Sequence, residues 1–319
     1  MAKRNKEVLL ITGGAGFMGS CFTNMVVKKR PNTLVVVVDA LTSVADKKNI
    51  HVWKEPNFTF RKCDIRNAAT LNRVFAQFKP TVVVHFAAET HVDVSIANPL
   101  LFLETNVLGT HNVAAAALSH KVSRVLHIST DEVYGALTKN AQPFEENDPM
   151  RPNSPYSASK ASAEHVMRAF CETYGLPVVV ARSSNNYGPG QDATKFIPVC
   201  ITRLLAGKPI PLYGKGTNAR DWVYVEDSAA AFETILRKGE IGQAYNVATS
   251  HELRNIDVVE KLLSLTGNTS EMISYVRDRP GHDFRYALST TKIKKLGWKP
   301  RVSFDEGLRR TLAFFKNKK

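Results

Sequence analysis

The chain has 319 residues, of which 44% are hydrophobic and 23% charged, and this ordinary composition excludes disordered and collagen-like proteins. No apolar run approaches the ~18 residues that a membrane span needs, so we expect no membrane association. The formal net charge is +14, partly at the two ends and otherwise scattered without a basic stripe. This distribution predicts attraction of a small anionic substrate and no binding of nucleic acid.

The four cysteines are far apart and lack the spacing of metal ligands: Cys21, Cys63, Cys171 and Cys200. We interpret them as reduced thiols, which predicts a cytoplasmic location and no metal site. The N-terminal residues run directly into a strand-like segment, so a secretory signal is not expected.

The first half of the chain alternates strand-like and helix-like segments. Short apolar or β-branched runs with little alternation are typical of strands buried on both faces of a parallel sheet. Such runs occupy residues 8–12, 34–39, 58–62, 81–87 and 124–130. Helix-like segments lie at residues 17–29, 68–78, 107–119 and 157–174. These repeated units predict an α/β fold with a doubly wound parallel sheet of the Rossmann type.

Beyond Arg182 the pattern changes, because glycine and proline become frequent and the alternation becomes irregular. We therefore predict a dinucleotide-binding domain over residues 1–182, with a returning segment near 221–250. A smaller, mixed α/β lobe is expected from residues 183–220 and 251–319, packed on the first domain without a long linker.

A glycine-rich turn follows the first predicted strand and opens the first helix. Gly13, Gly16 and Gly19 lie where a backbone must turn tightly and approach a pyrophosphate at a helix N-terminus. A plain strand–helix turn is the alternative interpretation of the glycines alone. Asp39 ends the second strand, where its carboxylate can accept hydrogen bonds from the adenosine ribose and would repel a 2′-phosphate. The pattern predicts NAD as cofactor, with residues 64–65 beside the adenine.

Tyr156 and Lys160 are four residues apart and so share one helix face. A neighbouring ammonium and an oxidised nicotinamide both favour the phenolate, so this pair can take a proton from a hydroxyl during hydride transfer. A chance pair on a solvated helix is the alternative interpretation.

Asp131 and Glu132 follow the strand at residues 124–130, and active groups of an open parallel sheet collect beyond the carboxyl ends of its strands. Two acids at close range push one pKa up, which yields one acid and one base. A solvated acidic turn is the alternative, and the presence of Tyr156 and Lys160 disfavours it.

With these motifs the sequence resembles the extended short-chain dehydrogenase/reductase superfamily and, more closely, its nucleotide-sugar 4,6-dehydratases. The resemblance covers nearly the whole chain, from Val8 to about Phe315. The matching motifs, in order, are residues 85–93, 130–135, 155–160, 184–189, 220–227 and 278–283.

The resemblance implies a reaction in which NAD is recycled. Tyr156, helped by Lys160 and Thr130, would deprotonate the glucose 4-hydroxyl while hydride passes from C4 to NAD. Glu132 would then remove the C5 proton while Asp131 protonates the departing 6-hydroxyl, and hydride would return to C6. A 4-epimerase has no need of the two acids.

The motifs also imply which residues bind the ligands. Cofactor contacts are expected from Gly13, Gly16, Phe17, Met18, Gly19, Asp39, Asp64, Ile65, Phe86, Ala87, Ala88, Thr105, Tyr156, Lys160 and Asn186. Substrate contacts are expected from Thr90, Thr130, Asn185, Lys195, Phe196, Pro211, Leu212, Tyr213, Arg220, Asn255, Arg279 and His282. Arg220 and Arg279 suit a diphosphate because a guanidinium can donate two parallel hydrogen bonds.

The substrate is expected to be a nucleoside-diphosphate glucose, and the reaction a first step towards rhamnose-type deoxysugars. Residues 238–247 are more similar to UDP-glucose dehydratases, whereas residues 220–222 and 279–283 are more similar to the dTDP-glucose type, so UDP-glucose is slightly favoured. A nucleotide-sugar 4-epimerase and a non-catalytic NAD-binding protein are the alternatives. The superfamily pairs helices equivalent to residues 107–119 and 157–174 between subunits, which implies a homodimer.

Overall fold

The computed structural model describes residues 7–42, 44–278 and 283–317. Its strands are β1 (Val8–Thr12), β2 (Leu34–Asp39), β3 (Phe58–Lys62), β4 (Val82–His85), β5 (Arg124–Thr130), β6 (Val178–Ser183), β7 (Asn185–Tyr187), β8 (Ile210–Tyr213), β9 (Ala219–Tyr224), β10 (Ala244–Val247), β11 (Glu252–Arg254) and β12 (Ile273–Val276).

The α-helices are α1 (Phe17–Lys29), α2 (Ala68–Phe78), α3 (Val92–Ala97), α4 (Pro99–Phe102), α5 (Gly109–Ser119), α6 (Pro155–Tyr174), α7 (Phe196–Leu205), α8 (Val225–Lys238), α9 (Asn255–Thr266), α10 (Thr291–Lys295) and α11 (Phe304–Asn317). Short 3-10 helices occupy Lys47–Asn49, Asp131–Tyr134 and Ser270–Met272, and a π-helix occupies Leu103–Leu108.

Seven parallel strands form the central sheet in the order β10-β6-β5-β4-β1-β2-β3. The chain moves outward from β1 to β3 on one side, and β4 then starts the other side. The point where the strand order reverses lies between β1 and β4, which is where open α/β sheets bind ligands. The predicted doubly wound, Rossmann-type fold is confirmed.

Helices cover both faces of the central sheet because its strands are apolar on both sides. One apolar cluster joins the sheet to Phe22 of α1 and Phe232 of α8. The other joins it to Phe75 of α2 and Met167 of α6. Burial on two faces explains why the strands read as continuous β-branched runs without alternation.

The second lobe has an apolar core of its own, which contains Ile201 of α7, Leu262 of α9 and Leu312 of α11. A three-stranded sheet, β11-β9-β7, and the parallel pair β12-β8 belong to this part of the chain. Between these elements the chain returns to the central sheet through α8 and β10. No helix within the described ranges has both the length and the apolar character that crossing a bilayer requires.

Three predicted elements differ from the observed ones for local reasons. The helix predicted at 107–119 is α-helical only from Gly109, because the two residues before it belong to the π-helix Leu103–Leu108. The run at residues 81–87 forms a strand only over Val82–His85, and Phe86 and Ala87 line the cleft described below. The predicted helix at 157–174 begins at Pro155, because the Ser154 side chain accepts a hydrogen bond from the Ser157 backbone N–H and proline suits the first helical position.

Candidate active site

The glycine-rich turn between β1 and α1 is held by close backbone packing. Gly13 has φ +68°, and a Cβ there would lie 2.5 Å from the Ala87 backbone nitrogen. A Cβ on Gly19 would overlap the Gly13 carbonyl oxygen. At Gly16 the nearest atom to a Cβ would be that same oxygen at 3.3 Å, and Gly16 lines the cleft. Gly13 and Gly19 are therefore required by the fold, whereas Gly16 leaves room for a ligand to approach the N-terminus of α1.

Asp39 braces this turn from the end of β2. Its carboxylate accepts hydrogen bonds from the backbone N–H groups of Ala15 (2.9 Å) and Leu41 (2.7 Å). Burial raises the pKa of the carboxyl, and these backbone donors partly oppose the rise. Asp39 thus holds the glycine turn while lining the cleft, where its remaining lone pairs could accept from a ribose.

A single cleft runs from the glycine turn across the carboxyl ends of the central strands to the second lobe. It brings together these residues from the predicted sets: Gly13, Gly16, Phe17, Met18, Gly19, Asp39, Asp64, Ile65, Phe86, Ala87, Ala88, Thr90, Thr105, Thr130, Asp131, Glu132, Tyr156, Asn185, Asn186 and Lys195. Segments more than 170 residues apart in the chain therefore share one concave surface.

Several predicted substrate residues do not line this cleft: Phe196, Pro211, Leu212, Tyr213, Arg220 and Asn255. Leu212 belongs to the core of the second lobe. Arg279 and His282 lie outside the described residues, so their predicted contacts are not placed by the structure. Lys160 also lies behind the cleft lining and is buried.

Arg220 is buried and bonded to backbone. Its guanidinium donates to the carbonyl oxygens of Ala219 (2.8 Å), Asp283 (2.7 Å) and Phe284 (3.2 Å), and it lies over the Tyr286 ring at 4.3 Å. Sequence patterns did not predict this backbone role, because the Asp283 and Phe284 carbonyls come from a segment more than 60 residues away.

The Tyr156 phenol is buried, and the nearby Thr130 side chain lowers its pKa against the effect of burial. Lys160, one turn further along α6, donates from Nζ to the Ile128 carbonyl oxygen at 2.7 Å. Burial raises the pKa of Tyr156, and the negative charge of Glu132 adds to the rise. Burial also lowers the pKa of Lys160 to about 8, against the opposing effect of Glu164. The chain by itself therefore does not supply the lowered phenol pKa that the sequence predicts.

Asp131 begins the 3-10 helix after β5 and is buried. Ser184 Oγ donates to its Oδ2 at 2.9 Å, and Thr130 Oγ1 donates to its Oδ1 at 3.2 Å. Burial raises the pKa of Asp131 to about 6, although Ser184 and Arg220 favour the charged form. One acid with a raised pKa was predicted, but the predicted cause was wrong, since burial and not the charge of Glu132 produces the rise.

Thr130 interacts with one member of each of two reactive pairs, Tyr156–Lys160 on α6 and Asp131–Glu132 on the 3-10 helix. Its Oγ1 donates to the Asp131 carboxylate at 3.2 Å, and the same side chain lies close enough to the Tyr156 phenol to lower its pKa. The Tyr156 phenol can take a proton from a hydroxyl of a bound ligand, and the nearby Asp131 carboxyl can donate one to a leaving oxygen. The arrangement can perform paired proton transfers at adjacent positions of one substrate.

Sequence reasoning missed several cleft residues, among them Arg66, Ser184 and Gln191. Ser184 lies inside a recognised motif, but its bond to Asp131 spans 53 positions and no local spacing reveals it. Arg66 directly follows the predicted pair at 64–65 and donates from Nη2 to Asp64 at 2.7 Å. Its position next to that pair in the sequence could have indicated that it lines the cleft.

Comparisons with known proteins agree with this geometry. The family model described as GDP-mannose 4,6 dehydratase matches residues 10–311. A dTDP-glucose 4,6-dehydratase of Neisseria meningitidis is 42% identical, over 98% of this chain and 94% of the relative. The crystal structure of the dTDP-glucose 4,6-dehydratase DesIV from Streptomyces venezuelae, which has NAD bound, superposes with a TM-score of 0.93 at 41% identity and covers 97% of each chain.

The same fold also carries a different reaction. A UDP-glucose 4-epimerase of Thermus thermophilus, solved with NAD, superposes with a TM-score of 0.89 at 33% identity, over 97% of this chain and 99% of the epimerase. Overall shape therefore does not separate dehydratases from epimerases, and the separation depends on the groups inside the cleft.

Proposed function

Because the chain belongs to the GDP-mannose 4,6-dehydratase family and is an enzyme of the nucleotide-sugar 4,6-dehydratase type, we propose that it removes water from dTDP-glucose to give the 4-keto-6-deoxy sugar nucleotide. The observation that carries the proposal is the placement of Asp131 and Glu132 in the same cleft as Tyr156, with Thr130 bonded to Asp131 and close enough to the Tyr156 phenol to affect its pKa. Oxidation and re-reduction at C4 alone would need only the tyrosine and lysine.

The cleft fits NAD as the cofactor. Its lining passes from the glycine turn and Asp39 to Tyr156, and the open side of Gly16 gives a pyrophosphate access to a helix N-terminus. When bound, NAD would supply an acceptor for the hydride at C4 and return it at C6. The proposed cofactor residues are those of the predicted set that line the cleft. Lys160 does not line it, but its charge acts on the Tyr156 phenol.

We assign the proton transfers as follows. Tyr156 takes the proton of the 4-hydroxyl, and the positive charge of Lys160 favours its phenolate once a substrate is bound. The resulting 4-ketone acidifies the C5 proton, which Glu132 removes. Asp131 holds a proton more readily than an ordinary aspartate because it is buried, so it can donate that proton to the 6-hydroxyl, which departs as water. Glu132 then returns its proton to C5 as C6 is reduced, and the proton that Tyr156 took from the 4-hydroxyl restores Asp131, so the net change is the loss of one water.

The identity of the nucleotide rests on the relatives. The sequence slightly favours UDP-glucose, whereas the similar proteins named above carry out the reaction on dTDP-glucose according to their names. Uracil and thymine differ by one methyl group, which is worth roughly 1–3 kcal/mol in a closely fitting pocket. We therefore expect kcat/KM for dTDP-glucose to exceed that for UDP-glucose by about tenfold or more. A higher value for UDP-glucose would overturn this choice, and conversion of UDP-glucose to UDP-galactose without a 4-keto product would establish the epimerase alternative.

We also propose a homodimer that buries an apolar surface before and beside α5. This surface consists of Val94, Ile96, Leu100, Leu103 and Leu108, all of which are exposed in the single chain. Contiguous exposed apolar side chains are typical of an interface. Light scattering should give twice the chain mass, and Leu100→Asp should give a monomer. Tyr275→Asp, at a residue of equal 61% exposure in the second lobe, should leave the mass unchanged. A monomeric wild-type protein would contradict the proposal.

A further inference from the structure

A buried cation behind the cleft connects the elements that carry the two reactive pairs. Arg182 lies near the end of β6 and is 6% exposed. Its neighbours in the central sheet are Ser129 of β5 and Asn246 of β10. The strand continues from Arg182 to Ser183 and Ser184, which line the cleft.

On one side Arg182 binds the helix that carries Tyr156 and Lys160. Its Nε donates to Oε1 and Oε2 of the Glu164 carboxylate at 3.2 and 3.0 Å, and its Nη2 lies 2.9 Å from Oε2. Glu164 is 4% exposed and lies one helical turn beyond Lys160 on α6. The fork geometry of a guanidinium on a carboxylate fixes orientation as well as distance.

On the other side Arg182 binds the 3-10 helix that carries Asp131 and Glu132. Its Nη1 donates to the Tyr134 hydroxyl at 2.6 Å, and the guanidinium lies 4.8 Å from the centre of the Tyr134 ring. Tyr134 is the last residue of that 3-10 helix, and its hydroxyl donates to Asn246 Oδ1 at 2.8 Å. Arg182 therefore touches one residue on each of the two reactive elements.

Folding stability does not explain this arrangement well. A buried ion pair contributes little compared with apolar side chains of similar volume, because both charges lose their hydration. Fixing one geometry is a better-attested use of a buried polar group. In this protein the geometry to be fixed is the separation of the proton acceptor on α6 from the acids on the 3-10 helix.

We propose that Arg182 is a positioning residue that locks the Tyr156–Lys160 pair to the Asp131–Glu132 pair through Glu164 and Tyr134. The proposal rests on the proposed function, since it assigns oxidation at C4 to the first pair and elimination to the second. C4 oxidation and elimination should therefore respond to different substitutions. Loss of the Tyr134 bond should displace Asp131 and Glu132, whereas loss of the Glu164 bond should displace the helix that carries Tyr156 and Lys160.

The carboxylate of Glu164 also affects the pKa of Lys160. Lys160 faces the imidazoles of His85 on β4 and His127 on β5, and Glu164 on its own helix is the acidic group that raises the pKa of its ammonium. Removing the negative charge of Glu164 lowers the pKa of Lys160 further. It also leaves the positive charge of Arg182 without a partner, and this charge lowers the pKa of Lys160 as well. The alkaline limb of C4 oxidation should then move to lower pH, since the protonated lysine is the form that favours the phenolate.

The test compares Tyr134→Phe, Glu164→Gln and the control Glu233→Gln in the NAD-loaded enzyme. Glu233 pairs with the buried Arg30 at 2.6 Å, between α8 and the end of α1, so this control also breaks an ion pair of a buried arginine. Rapid mixing with dTDP-glucose gives C4 oxidation from the absorbance of the reduced cofactor, and product formation gives the elimination rate.

Tyr134→Phe should slow elimination by about tenfold more than oxidation, since a misplacement on the order of 1 Å is costly in catalysis, and reduced cofactor should accumulate. Glu164→Gln should slow oxidation and shift its alkaline limb to lower pH. Glu233→Gln should leave the ratio of the two rates and the pH limb at wild-type values. Equal slowing of both steps in Tyr134→Phe and Glu164→Gln, with an unchanged pH limb, would overturn the proposal.

If Glu164→Gln does not fold, the Tyr134→Phe result decides alone, because that change removes one hydroxyl and keeps the ring. Failure of the proposed function would instead appear in the wild-type enzyme, as the absence of a 4-keto-6-deoxy product.

Discussion

The two reactive pairs of the cleft differ in what sets their protonation. On α6, burial raises the pKa of Tyr156 and lowers that of Lys160 to about 8, so burial opposes the charged form of each. On the 3-10 helix, burial raises the pKa of Asp131 to about 6, although Ser184 and Thr130 donate to its carboxylate and favour the charged form. The chain by itself raises the pKa of the proposed acid, Asp131, whereas the proposed base, Tyr156, depends on charge brought by bound ligands.

The largest effect is expected when the base is removed. Tyr156→Phe should lower kcat by about a thousandfold, because proton transfer by a positioned group contributes on that scale. NAD affinity, measured by calorimetry, should stay close to wild type, since the ring remains in the cleft. A kcat near the wild-type value would contradict the assignment of Tyr156 as the base in C4 oxidation.

Removal of one acid should stop the reaction at a later point. Glu132→Gln should slow dehydration by about a hundredfold while C4 oxidation survives, because the amide cannot take the C5 proton. Reduced cofactor should therefore accumulate on the enzyme after rapid mixing with substrate. Dehydration at the wild-type rate would take Glu132 out of its assigned role.

A smaller effect should appear in the pH dependence of elimination. Asp131 must be protonated to donate, so the elimination rate should fall as pH rises through about 6. Ser184 donates to the carboxylate and so favours its charged form, hence Ser184→Ala should raise the pKa and move this limb to higher pH. Ser183→Ala, at a neighbouring hydroxyl that accepts from Asn186 instead, should leave the limb in place. A limb that moves down in Ser184→Ala would contradict the assignment of Asp131 as the acid.

The smallest effect concerns the ligand on which the base depends. Gly16→Ala should lower NAD affinity by about tenfold, or about 1.4 kcal/mol, with little change in Tm, because the added Cβ faces the cleft. Gly13→Ala should lower both NAD affinity and Tm, since its Cβ would lie 2.5 Å from the Ala87 backbone. Equal losses of Tm in the two variants would mean that Gly16 also serves the fold.

The sequence predicts the fold well where burial leaves a continuous signal. The strands at 8–12, 34–39, 58–62 and 124–130 are observed with the predicted bounds, since strands covered on both faces need unbroken apolar runs. The second lobe was predicted only as a region, because its short strands β7, β8 and β11 have three or four residues each.

The candidate site was predictable as far as its motifs reached. Tyr156, Asp131 and the glycine turn line one cleft because strand ends of a parallel sheet meet at one edge, which is a property of the fold class. The bond from Ser184 to Asp131 and the fork from Arg182 to Glu164 depend on side chains from different strands and helices. Such contacts follow from packing, which local spacing does not encode.

The central claim is that the hydrogen taken from C4 returns to C6 of the same sugar. Deuterium placed at C4 of dTDP-glucose, followed by NMR of the product, tests it most directly. We expect deuterium on the C6 methyl group of a 4-keto-6-deoxy product, without added cofactor being consumed. Deuterium that remains at C4 of a sugar with an inverted 4-hydroxyl would contradict it and identify an epimerase.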